Sequence, residues 1–225
     1  MVIKTKDAEY DCRDITWKQS RRLHHLHTQA YLGSVINNGN VEDIDIDFDK
    51  FYEAMEYALE IAFDDPEKEL EGKNHSEIDE VGQAIMTQYL NPVKKKWKLG
   101  LNVWISFNGL KESPFEFPYE ADNPVSNKRQ KFDGIKDVEG VIEEILIEGS
   151  EVSEGQNLYF LTPLFCDQRF LLDAESQNLI REYNYCKTFN TPPGSTLDET
   201  PTRILEAFEI IESEINNCMK VNNGN

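Results

Sequence analysis

Basic residues are scarce in this sequence: 23 Lys and Arg residues stand against 42 Asp and Glu, a net charge of −19 at neutral pH. Binding to the phosphates of DNA or RNA, or to an anionic membrane, needs a basic surface, so this balance argues against both kinds of partner. An acidic surface is compatible with keeping an apolar or basic partner in solution, although many acidic proteins carry such charge only for their own solubility.

Long apolar runs and paired cysteines are also missing. No stretch reaches transmembrane length, and the opening "MVIKTKDAEYDC" lacks the apolar region of a signal peptide. The four cysteines are widely spaced and form no C-x-x-C pair: Cys12, Cys166, Cys186 and Cys218. We therefore expect reduced thiols and a cytoplasmic protein.

Motifs that would indicate catalysis do not occur. The sequence has no G-x-S-x-G, no G-x-x-x-x-G-K and no dinucleotide-binding fingerprint. A pairing of Cys166 with one of the four histidines is available to any chain of this composition, and no acid pair stands out. We expect no enzymatic activity and no cofactor, and assign no catalytic, cofactor-binding or metal-binding residue.

The first 92 residues are typical of a helical domain that begins with a short β-hairpin. The runs "VIKTK" and "EYDCRDI" predict the hairpin, and Thr16 predicts the N-cap of a helix over "WKQSRRLHHLHTQAYL", which "GSVINNGN" should close. A second helix is predicted at about 48–63, with Phe48, Phe51, Tyr52, Met55, Leu59, Ala62 and Phe63 on one stripe.

A third helix should follow, starting at a capping box of Ser76 and Asp79 and ending before Pro92. A domain boundary is then predicted at "NPVKKKWKLG", which separates domain 1–92 from domain 93–225. The first domain carries a net charge of −11, which leaves −8 for the longer second one.

The second domain has a mixed pattern. "WKLGLNVWISF" alternates and predicts a strand, "PFEFPYE" an extended edge segment, "ADNPVSNKRQKFDG" a polar loop, and "NLYFLTPLF" a buried extended run. Helices are predicted in "DVEGVIEEILIEG", over about 173–189, and after a cap at Thr200 with Pro201 in the first turn. The fold class is therefore α+β, mainly α: a helical domain with a short hairpin, followed by a mixed α/β region.

The stretch "DIDIDFDK" places acidic residues at calcium-loop spacing. Asp45, Asp47, Asp49, Glu53 and Glu56 occupy the offsets of the oxygen ligands in a helix-loop-helix site. Such a loop needs glycine at its sixth position, where this sequence has Lys50, and the helical stripe runs through the whole segment. We therefore predict no metal site: Asp47 or Asp49 caps the helix and the other acids face water.

The phrase "HHLH" is a second candidate metal cluster. His24 and His27 share a helix face, but no third ligand can be named and Arg21 and Arg22 would repel a cation. A polar or partner-contacting helix face is the better interpretation.

Three phrases in order resemble a known family. "EYDCRDITWKQSRRLHHLHTQAY", "DIDFDKFYEAMEYALEIAF" and "SEIDEVGQAIMTQYL", over residues 9–90, resemble the small helical domain of tailed-bacteriophage tail assembly chaperones. The segment "YNYCKTFNTPPGSTLDETPTRILEAFEIIESEIN" resembles, more weakly, the second part of long-form members, whereas residues 97–165 resemble nothing named.

The resemblance implies a non-enzymatic chaperone that keeps the tape-measure protein soluble and helps to recruit tail-tube subunits. It implies a location in the host cytoplasm and absence from the mature virion, and it leaves homo-oligomerisation and the client-binding surface open. Many members of the family are made in two lengths by ribosomal frameshifting. Lys94–Lys96 lie at the predicted junction, where consecutive lysine codons can form a slippery sequence, but an ordinary linker is the favoured interpretation of three lysines. A structural tail or baseplate protein retained in the virion is the alternative.

Overall fold

The chain forms two compact units. In a computed structural model, which describes residues 2–6, 8–31, 35–37, 40–43, 45–91 and 96–224, one unit comprises Met1–Lys94 and Pro192–Leu205 and the other Lys95–Thr191 and Glu206–Asn225. This division differs from the predicted domains in one segment, 192–205, which packs with the first unit. Residues 92–95 of the predicted junction "NPVKKKWKLG" lie outside the described residues, and a helix begins at Lys96 within it.

The first unit is built from a β-hairpin and three long helices. Its elements are β1 (Val2–Lys4), β2 (Glu9–Asp11), α1 (Trp17–Ala30), β3 (Val35–Asn37), β4 (Asn40–Asp43), α2 (Phe48–Ala62), the short α3 (Pro66–Glu69) and α4 (His75–Leu90). β1 pairs antiparallel with β2, which confirms the predicted hairpin, and α2 packs against both α1 and α4. β3, within the segment "GSVINNGN" that was predicted only to close the first helix, forms a further antiparallel pair with β4, which follows it.

The helix starts follow local capping rules. Thr16 caps α1 as predicted and forms a capping box with Gln19, and Asp47, one of the two predicted candidates, caps α2 through the amide of Lys50. The cap predicted at Ser76 is wrong. Asn74 caps α4 with Glu77 as its reciprocal partner, because this pair satisfies the same spacing two residues earlier.

The buried face of α2 is rotated from the predicted stripe. Met55, Leu59 and Ala62 are buried as expected, together with Ala54, Tyr57, Ala58 and Ile61. Phe48 and Tyr52, predicted to lie on this stripe, are 65% and 44% exposed. Phe51, which lies between them in sequence, packs against the core cluster of the first unit, so the two are exposed because they lie on another side of the helix.

The second unit is built from a β-hairpin and helices of 8 to 21 residues. Its elements are α5 (Lys96–Asn108), β5 (Tyr119–Asp122), β6 (Arg129–Phe132), α6 (Ile135–Glu148), α7 (Glu154–Leu161), two 3₁₀ turns (Thr162–Leu164 and Gln168–Leu171), α8 (Ala174–Phe189) and α9 (Thr202–Asn222), whose first residues, 202–205, belong to the first unit. The helices predicted near 137–149 and 173–189 are confirmed as α6 and α8. The chain is thus α+β and mainly α, as predicted.

The strand predicted over "WKLGLNVWISF" is wrong, because these residues form α5. Residues two apart are separated by 200° around a helix, so apolar residues at alternate positions cover its whole circumference. That pattern suits α5, which is buried on several sides from Trp97 to Ile105 and packs against α7 and α8.

Two further predictions for this unit need correction. The apolar run "NLYFLTPLF" is not extended but forms α7 and a 3₁₀ turn, because an apolar run alone does not separate a buried helix from a strand. Ser153 caps α7 by accepting from the amide of Gln156. The predicted loop after Ala121 contains β6, which pairs antiparallel with β5 across a turn closed by the Asn123 side chain.

The last helix begins two residues after its predicted cap. The Thr200 hydroxyl donates to the carbonyl of Thr196 at 2.7 Å and so closes the preceding turn instead. The carbonyl of Pro201 accepts from the amides of Ile204 and Leu205, which places Pro201 at the start of α9.

Candidate functional site

The most distinctive surface of the first unit is the exposed side of α1. This helix carries Lys18, Arg21 and Arg22 and no acidic residue, in a chain of net charge −19. The residues lie at helical spacing opposite the buried stripe of Leu23, Leu26 and Ala30. We call Lys18, Arg21, Arg22 and His25 the α1 basic face.

A shallow groove of about 780 Å³ runs beside this face. Its lining residues come from α1 and its cap and from one residue of α2: Thr16, Lys18, Gln19, Arg21, Arg22, His25 and Tyr57. The Arg22 guanidinium lies 4.4 Å from the centre of the Tyr57 ring, a cation–π contact that holds this side chain across the seam between the two helices.

The charges around Tyr57 are opposite in sign. Burial raises the pKa of Tyr57, the charge of Arg22 opposes that rise, and Glu60 on α2 adds to it. Both a cation and a carboxylate therefore act on the same ring at the seam. Among the described residues, no carboxylate lies within ion-pair distance of Lys18, Arg21 or Arg22. Guanidinium and ammonium groups that have no carboxylate beside them are suited to binding one.

The first turn of α1 is covered by the segment that returns from the C-terminal part of the chain. The amides of Trp17 and Lys18 donate to the carbonyls of Thr200 and Asp198 at 2.9 and 3.2 Å, and the amide of Thr202 donates to Ile15. This segment therefore takes up main-chain donors of the first turn of α1.

The three histidines of "HHLH" do not share one environment. His24 and His25 are exposed, and His25 contacts the Gln29 amide at 3.1 Å. His27 is partly buried against the ring of Tyr31, and burial, with a smaller contribution from His24, lowers its pKa. Within the described ranges, no group of three or more His, Cys, Asp or Glu side chains could hold a metal ion.

The acidic residues once placed at calcium-loop spacing extend along α2. Asp47 is used as a cap, and Lys50 pairs with Glu53 at 2.7 Å, so this stretch is a regular helix and does not wrap around an ion. Asp49, Glu53, Glu56 and Glu60 are all exposed. We call these four residues the α2 acidic face.

The second unit contains a buried carboxylate that the sequence did not single out. Glu214, 7% exposed, accepts from Nε1 of Trp104 at 2.7 Å, from the Ser153 hydroxyl at 2.6 Å and from the amide of Gly155 at 3.3 Å. Gly155 also lies against Gly100: a Cβ added to Gly155 would lie 2.7 Å from the carbonyl carbon of Gly100. All donors around Glu214 are satisfied, so the cluster ties α5, α7 and α9 together.

A second buried carboxylate, Asp167, has a similar role. It pairs with Arg169 at 2.8 Å and accepts from the amide of Ser113, and the hydrogen bonds from Arg169 hold the pKa of this carboxyl below its usual range. The adjacent Cys166 is fully buried, and burial raises the pKa of its thiol to about 12. An unreactive thiol and an ion-paired carboxylate fit a structural role.

Comparison with known proteins gives no match: no protein-family model fits the chain, no curated protein matches its sequence, and no solved structure matches its fold. The resemblance to tail assembly chaperones therefore stays a prediction. Over the part of the chain that the structure describes, no helix has the length and apolar character needed to cross a membrane.

Proposed function

We propose that the protein is a non-enzymatic tail assembly chaperone of a tailed bacteriophage, which binds the tape-measure protein, keeps it soluble and helps to recruit tail-tube subunits. The observation that carries this proposal is the ordered set of phrases over residues 9–90. These phrases coincide with β2, α1, α2 and α4 of the first unit.

The surface of the first unit supports such a role. A protein that holds a long amphipathic helix in solution needs exposed apolar side chains close to charged ones. Phe48 and Tyr52 are exposed at the start of α2, on the same helix as the α2 acidic face. The net charge of −19 would help to keep a complex with an aggregation-prone client dispersed.

Co-expression with the tape-measure protein from the same genome tests the proposal. A chaperone should raise the soluble fraction of that protein and co-purify with it, whereas no gain in solubility and no co-purification would contradict the proposal. A Phe48→Ser/Tyr52→Ser variant should reduce the gain, with Ile147→Ser as the matched control on an exposed residue of α6.

Mass spectrometry of purified virions separates the proposal from its alternative. A chaperone that acts in the host cytoplasm should be absent from finished particles. A structural tail or baseplate protein should be present at a fixed copy number per particle.

A further inference from the structure

The two faces defined on the first unit are complementary in charge. Helix α1 carries three cationic residues and no acidic one, a charge of +3 with neutral histidines. Helix α2 carries four acidic residues and Lys50, a charge of −3. The two helices pack side by side, and Arg22 reaches across their seam to Tyr57.

Most exposed charges on the two faces have no ion pair among the residues that the structure describes. Lys18, Arg21 and Arg22 have no ion pair among the described residues, and the same holds there for Glu56 and Glu60. Within the described ranges, Glu53 is the one member of the α2 acidic face with an ion pair, to Lys50. Opposite charges therefore stand in neighbouring rows, available to a partner that presents the reverse arrangement.

A second copy of the chain presents that arrangement. Consider a two-fold axis that lies in the plane of the interface and runs parallel to the line between α1 and α2. This axis places the α1 basic face of each copy opposite the α2 acidic face of the other copy. A two-fold axis across the seam would instead place like charges together and is disfavoured. The same pairing occurs twice in such an interface, because each residue of one copy contacts its complement in the other.

We propose that the chain forms a symmetric dimer through its first unit, in which the α1 basic face of each copy contacts the α2 acidic face of the other. The groove of about 780 Å³ beside α1 then receives acidic side chains of the second copy, with Arg22 held in position by Tyr57. This inference does not depend on the proposed chaperone function.

Charge reversal tests the pairing by sedimentation velocity at low salt. Lys18→Glu/Arg21→Glu reverses the basic row and Glu56→Lys/Glu60→Lys reverses the acidic row, and each change should raise the Kd of self-association by about tenfold or more. Arg22 and Glu53 are left unchanged because they hold contacts within the unit.

Mixing the two reversed variants is the decisive step. A heterodimer of the two pairs opposite charges at both contacts, so the mixture should dimerise with a Kd close to that of the wild-type chain. The quadruple variant, with both rows reversed in one chain, should also recover dimerisation. Raising the salt concentration should weaken the wild-type dimer by about tenfold because screening shortens the range of these charges.

Matched controls change the same net charge at exposed residues elsewhere. Lys128→Glu/Lys136→Glu and Glu67→Lys/Glu71→Lys should leave the Kd within about twofold of wild type. A wild-type chain that stays monomeric at about 100 µM in low salt would overturn the proposal. So would a dimer that reversal of either row leaves intact, or a mixture that fails to recover.

An acidic helix of another protein is the competing occupant of the basic face. In that case reversal of the basic row would abolish binding of the other protein, reversal of the acidic row would have no effect, and the wild-type chain would remain a monomer. Circular dichroism of every variant shows that lost association does not arise from unfolding.

Discussion

Replacing Glu214 with alanine removes an acceptor that three donors of the second unit share. Nε1 of Trp104, on a side chain that is 1% exposed, and the buried amide of Gly155 would lose their partner, while the partly exposed Ser153 hydroxyl can turn to water. A buried donor left unsatisfied costs about 1–3 kcal/mol. We therefore expect Glu214→Ala to lower the free energy of unfolding by about 3–5 kcal/mol.

Urea denaturation followed by tryptophan fluorescence measures this loss. A Trp17→Phe background restricts the signal to Trp97 and Trp104, both in the second unit. Glu209→Ala, at an exposed position of the same helix, is the matched control and should change stability by less than about 0.5 kcal/mol. A loss for Glu214→Ala no larger than that of the control would refute the account of the cluster.

Three other predictions concern single side chains. Tyr89→Phe removes the hydrogen bond from the Tyr89 hydroxyl to the carbonyl of Arg13 at 2.7 Å and should cost about 1 kcal/mol, measured by urea denaturation followed by circular dichroism. An unchanged midpoint would contradict the contribution of this hydrogen bond. Because the pKa of His27 is lowered in the folded state, the unfolded chain binds the extra proton first, so this residue should make stability fall as pH falls below about 6.5. Urea midpoints at neutral and mildly acidic pH should therefore differ more for the wild type than for His27→Gln. Equal differences in the two proteins would contradict the predicted contribution of His27. In native protein a thiol reagent should modify Cys186 first, since burial raises the pKa of the other three thiols and shields them; rapid reaction of all four would contradict the packing.

Local signals predicted the first unit better than the second. Thr16 and Gln19, which form a capping box, are only three residues apart in the chain. The spacing of apolar residues from Met55 to Ala62 indicates a helix without reference to the rest of the chain. Both features depend on residues that are close together in the chain, so the sequence alone is sufficient to predict them. Asn74 was missed although it obeys the same rule, because Ser76 offered a competing cap two residues later.

Tertiary packing decided what the sequence did not predict. The alternation from Trp97 to Phe107 fits a strand as well as a helix buried on several sides. The packing of α5 against α7 and α8, which lie far along the chain, is what favours the helix. Nothing in the sequence distinguishes Glu214 from the other acidic residues, of which there are 42 with it. Its burial depends on Trp104, which lies 110 positions away in the chain and donates a hydrogen bond to it. The α1 basic face was noted in sequence as Arg residues beside histidines, but its groove requires Tyr57 of α2.

The most direct test of the central claim is a refolding measurement with purified proteins. The tape-measure protein from the same genome is diluted from denaturant with and without an equimolar amount of this chain, and aggregation is followed by light scattering. The account predicts that the chain suppresses scattering and stays bound in a soluble complex. Equal scattering in the presence of the chain and of an unrelated acidic protein would contradict it.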